Sequence, residues 1–224
     1  MSDEEKLPPK ASQQKVEAAV EEVTETDDDA GIVERVHAAD VAASVTAGEY
    51  RETPLIKGLG FLSEISDQPP AFTLAGLAAV GGVLAGRPRL AEAGFRCLAS
   101  LGVATASKAV LKAFIVRTRP FVLMERGHYE TGLNGPNDGP WNSFPSGHTA
   151  NAVAAACALS RVSPENAPLL SAAAVGIGAI QVPRGAHHPV DVVAGAMVGW
   201  AAEAVVNAAW QRLFPPRQGP RRRS

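Results

Sequence analysis

The sequence predicts an all-α fold: a membrane-embedded helical bundle of about five spans, with an amphipathic helix ahead of it and a disordered acidic tail ahead of that. Three observations lead there. Five apolar stretches follow one another along the chain, Ala71 to Gly86, Cys97 to Val116, Thr149 to Leu159, Ala167 to Val182 and Val190 to Trp210. The first has no charged residue on any face and the last only Asp191 and Glu203, whereas a surface helix of a soluble protein carries a polar stripe. The stretches are also rich in Ala, Gly, Val and Leu, and small residues let helices approach closely in lipid. A soluble all-helical bundle is the alternative, because stretches of this length also describe buried core helices.

Charge divides the chain. Met1 to Val36 holds 11 acidic against 4 basic side chains, net −7, so the rest carries 17 basic against 12 acidic, net +5. The beginning, residues 1–36, has no aromatic residue and includes the run Thr26-Asp27-Asp28-Asp29. Such a segment buries too little apolar surface to offset its ordering entropy, so it is expected to be disordered or at most transiently helical. No apolar run follows a basic start there, so any insertion signal is expected further in. A helical membrane domain is expected over 37–214 and a basic tail over 215–224.

Within the domain, Pro54 to Ile65 (PLIKGLGFLSEI) mixes Leu, Ile and Phe with Lys57 and Glu64. It reads as an amphipathic helix lying at an interface, ended before Pro69-Pro70. Cys97 and Cys157 sit in Ala-rich runs and are expected as buried thiols, not as a disulfide or metal pair. Arg87, Arg89, Arg96, Arg161, Arg212, Arg217 and Arg221 to Arg223 fall on one side of the expected spans. The positive-inside rule makes that side cytoplasmic, which puts the polar clusters described next on the outer face.

Those clusters occur in fixed order: Lys112-x6-Arg119-Pro120, then Ser143-Phe144-Pro145-Ser146-Gly147-His148-Thr149, then His187-x3-Asp191. Lys112 and Arg119 supply two cations from a helix end and its exit loop, with Pro120 expected to stop the helix. Lys108, one turn earlier, is read as snorkelling to headgroups. Ser146 and Gly147 enter a helix, whose unpaired N–H groups and dipole suit phosphate; Ser146 as a simple N-cap is compatible with that role. His148 lies at the same turn and is placed to donate a proton. Pro189 suits the first turn of the last helix, from which the Asp191 carboxylate is expected to reach the His187 imidazole and fix its tautomer. His188 is read as a helix-start or rim residue. No third ligand sits at metal spacing, so no metal or cofactor is expected.

The three clusters resemble the signature motifs of the type 2 phosphatidic acid phosphatase superfamily, which includes bacterial acid phosphatases and vanadium-dependent haloperoxidases. The resemblance covers roughly Ala71 to Trp210. It departs from the family pattern at Ile180-Gln181, where the family has Ser-Arg; the nearest cation is Arg184, expected to take over the arginine's role. The resemblance implies a phosphatase acting on lipid phosphates or diphosphates at the outer face of a bacterial-type inner membrane, with no nucleic-acid partner. It implies that His187 attacks phosphorus to form a phosphohistidine and His148 protonates the departing alcohol, while Lys112, Arg119, Ser146, Gly147 and Arg184 hold phosphate oxygens. The long loop from Phe121 to Asn142 is expected to act as a lid. Competing readings are a haloperoxidase, a soluble acid phosphatase and a membrane scaffold with a decayed site, the last kept alive by Ile180-Gln181.

Overall fold

A computed structural model describes residues 7–27, 29–135 and 139–215. The basic tail from 216 onward and the first six residues of the acidic tail lie outside the described residues. Three helices come first, α1 (Gln13–Thr24), α2 (Ile32–Gly48) and α3 (Pro54–Ser63). Then follow α4 (Gln68–Leu84) and α5 (Pro88–Phe114), a connecting segment with strand β1 (Ile115–Arg117), helix α6 (Pro120–Arg126) and strand β2 (Thr131–Leu133), and finally α7 (Gly147–Val162), α8 (Ala167–Ile180) and α9 (Pro189–Leu213). Proline stands in the first turn of α3, α4, α5, α6, α8 and α9, where its fixed φ suits the helix and its missing N–H costs nothing.

Each of the five apolar stretches forms the main part of a helix, α4, α5, α7, α8 and α9. α4 packs on α5, α5 on α7 and α9, and α7 on α8 and α9. Alanines make this possible: Ala150, Ala154 and Ala158 line one buried face of α7 without bulk, and Ala152 and Ala156 another, against Ala174 of α8. α9 comes closest to α7 at Gly199, where a Cβ would lie 2.2 Å from the Ala150 carbonyl oxygen, and Gly195 continues the close approach to the head of α7. A Cβ there would lie 2.5 Å from the Ser146 carbonyl oxygen and 3.2 Å from the Cβ atoms of Ser146 and Thr149, so only glycine lets α9 reach the loop at the head of α7.

The outward surface is apolar. Leu77, Val80, Val83 and Leu84 of α4 and Val193, Met197, Trp200 and Val205 of α9 are each more than half exposed, a larger apolar surface than water-facing monomers carry. α5 and α9 are long and apolar enough to cross a membrane, and α4 is a shorter apolar helix. In α3 Leu55, Leu59, Phe61 and Leu62 are exposed along with Lys57, while Gly60 and Ser63 face inward, a largely apolar outer surface suited to an interface.

Three findings depart from the sequence reading. Within residues 1–36, α1 forms a helix, although none of its residues is buried. It packs on α2 and α6, and the segment before it is held by a backbone bond from Ala11 N–H to the Glu125 carbonyl and by the Arg126 guanidinium, which donates to the Pro8 carbonyl. Pro120 does not stop the second bundle helix. α5 already ends at Phe114, and Pro120 opens α6 instead. The loop from Phe121 to Asn142 carries β2, which pairs antiparallel with β1, Val116 opposite Gly132.

Candidate active site

Backbone bonds bring the three clusters together. Ser143 N–H donates to the Arg117 carbonyl at 2.9 Å, and Ser146 N–H donates to the Asp191 carbonyl at 3.0 Å. At the head of α7, Ser146 is the N-cap, its Oγ accepting from Thr149 N–H at 3.4 Å and from the Thr149 hydroxyl at 2.9 Å. The Gly147 backbone is bare of side chain on the face where Lys108 arrives: a Cβ there would be 3.1 Å from Lys108 Nζ. Lys108 is buried against the head of α7, so it does not snorkel. Lys112 Nζ donates to the Asn142 carbonyl at 2.6 Å and to Asn142 Oδ1 at 2.5 Å.

His187 is 2 % exposed. Its Nδ1 lies 2.7 Å from the Ser143 carbonyl oxygen, an acceptor only, so Nδ1 carries the proton and Nε2 the lone pair. Burial, with the nearby Arg119 and Lys112 cations, lowers its pKa from 6.5 to about 4 against the opposing pull of Asp191. The imidazole is therefore neutral at ordinary pH and presents a basic nitrogen among cations.

Asp191 does not act on His187 in the expected way. Its Oδ2 is 3.9 Å from His187 Nδ1, because the carboxylate is already occupied. It accepts from the Ser143 hydroxyl, from His188 N–H at 2.8 Å and from Arg117 Nη1 at 2.8 Å. Asp191 thus holds Ser143, and the Ser143 carbonyl holds His187. Arg117 in turn donates through Nη2 to Asp40 Oδ2 at 2.6 Å, and Asp40 Oδ1 accepts from Val190 N–H at 2.8 Å. Burial weakens the charged form of Arg117, but Asp191, Tyr129 and Asp40 outweigh it and push its pKa above the ordinary value. His188, read as a rim residue, is fully buried. Its Nε2 donates to the Thr118 carbonyl at 3.1 Å and its Nδ1 lies 2.8 Å from Ser44 Oγ, so it ties α2 to the loop before α6.

His148 has different company. Its Nε2 is 3.3 Å from Glu64 Oε2, and Glu64 Oε1 accepts from Arg184 Nη2 at 2.6 Å. Arg184 Nη1 donates to Ser63 Oγ at 2.9 Å and lies 3.3 Å from Gln181 Oε1. Gln181, fully buried, donates through Nε2 to Ser63 Oγ at 3.1 Å and to the Ile177 carbonyl at 2.9 Å. Burial favours the neutral acid of Glu64, but Arg184 and His148 outweigh it and hold the carboxyl below the usual glutamate value. Glu64, Asp67 and His148 each present one ligand atom, all within 4.8 Å of one another. The sequence reading saw no such trio because His148, in α7, is distant in the chain from the turn that carries Glu64 and Asp67.

Glu64, Asp67, Asp40, Arg117 and Lys108 are among the charged residues at the site that the motifs did not reveal. Glu64 had a signal, a carboxylate in a surface helix otherwise built for an interface. Asp40 had one too, a charge inside an Ala/Val helix. Neither spacing said what the carboxylate would face.

A helical fold, cations around a neutral, oriented histidine, and a second histidine backed by a carboxylate describe a phosphoryl-handling site. The chain belongs to the PAP2 superfamily, whose family model matches residues 93–215, more than half of its length. It is 42% identical over 95 residues to a "Non-specific acid phosphatase" of Salmonella typhi, covering 41% of this chain and 36% of that protein. It is 35% identical over 109 residues to a "Lipid A 1-phosphatase" of Rhizobium etli, covering 47% and 46%. The chain thus spans less than half the length of these curated relatives. Two solved structures share the fold: LpxE of Aquifex aeolicus (TM-score 0.56, 21% identity, covering 75% of this chain and 94% of that one) and the first transmembrane PAP2 type phosphatidylglycerolphosphate phosphatase from Bacillus subtilis (TM-score 0.60, 19% identity, 90% and 95%).

Proposed function

We propose that this protein is an integral membrane phosphatase that hydrolyses lipid phosphates or diphosphates through a phosphohistidine on His187, without a metal ion. The observation that carries the reading is the lock of His187 Nδ1 on the Ser143 carbonyl, which leaves Nε2 bare as a nucleophile for phosphorus. His148 gives its proton to the departing alcohol and then takes one from the water that hydrolyses the intermediate. Lys112, Arg119, Ser146, the Gly147 amide and Lys108 neutralise the phosphate oxygens as negative charge builds in the transition state. Arg184 acts on the His148 side, through Glu64, and reaches the phosphate from there.

The spans are α4, α5, α7, α8 and α9, in the inner membrane. Arg96, Arg161 and Arg212 lie at the bundle end away from His187, which supports a cytoplasmic placement of that end and an outer, periplasmic active site. The 42% identity to an acid phosphatase favours one second reading, a phosphatase for small soluble esters. A substrate panel on the detergent-purified protein, with and without excess chelator, separates them: lipid phosphates and the phosphatidylglycerolphosphate class turned over in preference to small esters, with chelator harmless. An acid-labile phosphoenzyme forms in the wild type. No hydrolysis of any phosphate ester, or loss of activity in chelator restored by a divalent ion, overturns the reading.

A further inference from the structure

The open side of the site hangs from a lightly packed helix. α3 has its main seat on the bundle against α8 and turns through Glu64–Ser66 into α4. Its inner face is covered: Gly60 and Ser63 are buried, and a Cβ on Gly60 would lie 3.0 Å from Arg184 Cδ and Nε, so the arginine stem lies along the α3 backbone. Its outer face is not. Leu55, Leu59 and Leu62 form an exposed stripe at helical spacing, with Phe61 and Ile65 exposed beside it. Ile65 and Leu74 wall one apolar groove, which carries the same surface on to α4, a helix whose exposed Leu77 and Val80 suit lipid and not water.

The end of this helix carries the groups that surround His148. Glu64 Oε2 lies 3.3 Å from His148 Nε2, its Oε1 accepts from Arg184 Nη2 at 2.6 Å, and Ser63 Oγ accepts from Arg184 Nη1 at 2.9 Å. A carboxylate only accepts, so the Glu64 contact takes the Nε2–H of the imidazole and leaves Nδ1 as the ring's other nitrogen. These polar bonds do not fasten α3 by themselves, because His148, Glu64 and Arg184 are all partly exposed and ion pairs of that kind contribute little net stability. Four large apolar side chains withdrawn from water contribute far more.

We propose that α3 is seated in the bilayer surface through Leu55, Leu59, Phe61 and Leu62, and that this seat makes Glu64 the positioning residue of the proton donor, holding His148 Nε2 so that Nδ1 serves the leaving oxygen. The inference rests on the phosphatase reading and deepens it: lipid contact assembles the half of the site that protonates the alcohol. Glu64 itself does not touch phosphate. His187 and Lys112 are held by Ser143 and Asn142, outside α3, so unseating α3 leaves the nucleophile in place and removes the guide of the acid.

The test uses the full chain in phosphatidylcholine vesicles and two esters on the same long hydrocarbon chain, an alkyl phosphate and an alkyl-substituted nitrophenyl phosphate. Both enter from lipid alike, but only the first needs a proton on its leaving oxygen. Leu59→Gln/Leu62→Gln, which removes apolar surface from the outer face without adding charge, should lower kcat on the alkyl ester about tenfold more than on the nitrophenyl ester, with KM changed alike for both. Glu64→Gln should give the same split, and combining it with the double glutamine variant should widen the split no further. Equal loss on both esters, or a split in Glu64→Gln alone, overturns the coupling and leaves the phosphatase reading standing. A nitroxide on Phe61→Cys, in a Cys97→Ala/Cys157→Ala chain, reads the seat without turnover: oxygen should relax it strongly and a water-soluble nickel complex weakly, the reverse of the same label on Lys57→Cys. Equal relaxation by nickel at both positions overturns the seat. Hydrolysis of neither ester by the wild type overturns the phosphatase reading, and the role of Glu64 with it, while the label still decides where α3 lies.

Discussion

His187 and His148 both stand where a loop enters a helix, and the protein treats them in opposite ways. The surroundings of His187 are closed: Asp191 and Ser143 are fully buried, Arg117 and Asp40 nearly so, and each hydrogen bond links a different element, α2, β1, the loop before α7, and α9. The surroundings of His148 are open. Its side chain is 20 % exposed, that of Glu64 40 % and that of Arg184 26 %, and Ser63 and Glu64, which hold Arg184, come from the interface helix and its end. Under the proposed mechanism the difference follows from the work. A nucleophile needs a fixed tautomer and orientation, which burial supplies. A group that gives and takes protons must exchange with water and leaving group, which burial prevents.

The comparison breaks first at His187. His187→Ala should lower kcat by roughly ten-thousand-fold or more and abolish the phosphoenzyme seen on acid quench with labelled substrate. A phosphoenzyme that survives the substitution shifts the nucleophile elsewhere. Next, His148→Ala should cost roughly a hundred- to ten-thousand-fold on an alkyl phosphate, and much less on p-nitrophenyl phosphate, whose leaving group departs without a proton. Equal loss on both esters would mean that His148 binds phosphate instead of protonating the alcohol.

The closed half should also dominate stability. Arg117→Ala leaves Asp40 and Asp191 buried without their common cation, so it should cost about 3–5 kcal/mol, read as a lowered Tm in detergent. The same measurement on Arg184→Ala should show no more than about 1 kcal/mol, because that ion pair is partly exposed. pH acts in the same direction. The pKa of His187 and of His188 is lowered in the fold from 6.5 to about 4, so the unfolded chain binds protons first. Their contribution is full above pH 6.5 and is lost as pH falls toward 4, on the order of 3 kcal/mol for each at most. A Tm unchanged between pH 7 and pH 4.5 would contradict the buried, neutral placement of both histidines.

Much of the helical arrangement was legible because composition alone decides it: stretches such as Ala71 to Gly86 have no face for water. The positions of His187, Ser146 and Lys112 were legible because local signals, a proline at a helix start and a Ser-Gly turn, coincide with charge. Contacts across distant elements were not. Asp191 lies four residues from His187, the spacing that suggested a direct bond, but Arg117 and Ser143 arrive from elsewhere and take the carboxylate. α1 was unreadable for a related reason, since its acidic composition argues against order and only its seat on α2 and α6 opposes that. His188 looked like a helix start, and is one, but α2 closes over it.

The smallest expected effect concerns the place where the family has an arginine and this chain has Gln181. Gln181 is sealed behind Ser63, with both of its amide nitrogen's bonds made inside the protein, so it holds the loop before α9 and does not touch phosphate. Arg184 sits further out, shared between Ser63 and Glu64. Under the proposed mechanism a guanidinium so placed does two things: it holds Glu64 ionised beside His148, and it offers charge-assisted donors to a phosphate oxygen. Arg184→Ala should therefore lower kcat about tenfold, and Arg184→Lys should restore part of it, since charge is kept while the forked geometry is lost. Gln181→Arg has no cavity to enter and should reduce the yield of folded protein without raising turnover. If Arg184→Ala costs nothing while Gln181→Arg raises kcat strongly, Arg184 is a surface cation, and the open half of the site lacks a ligand that a buried arginine would supply.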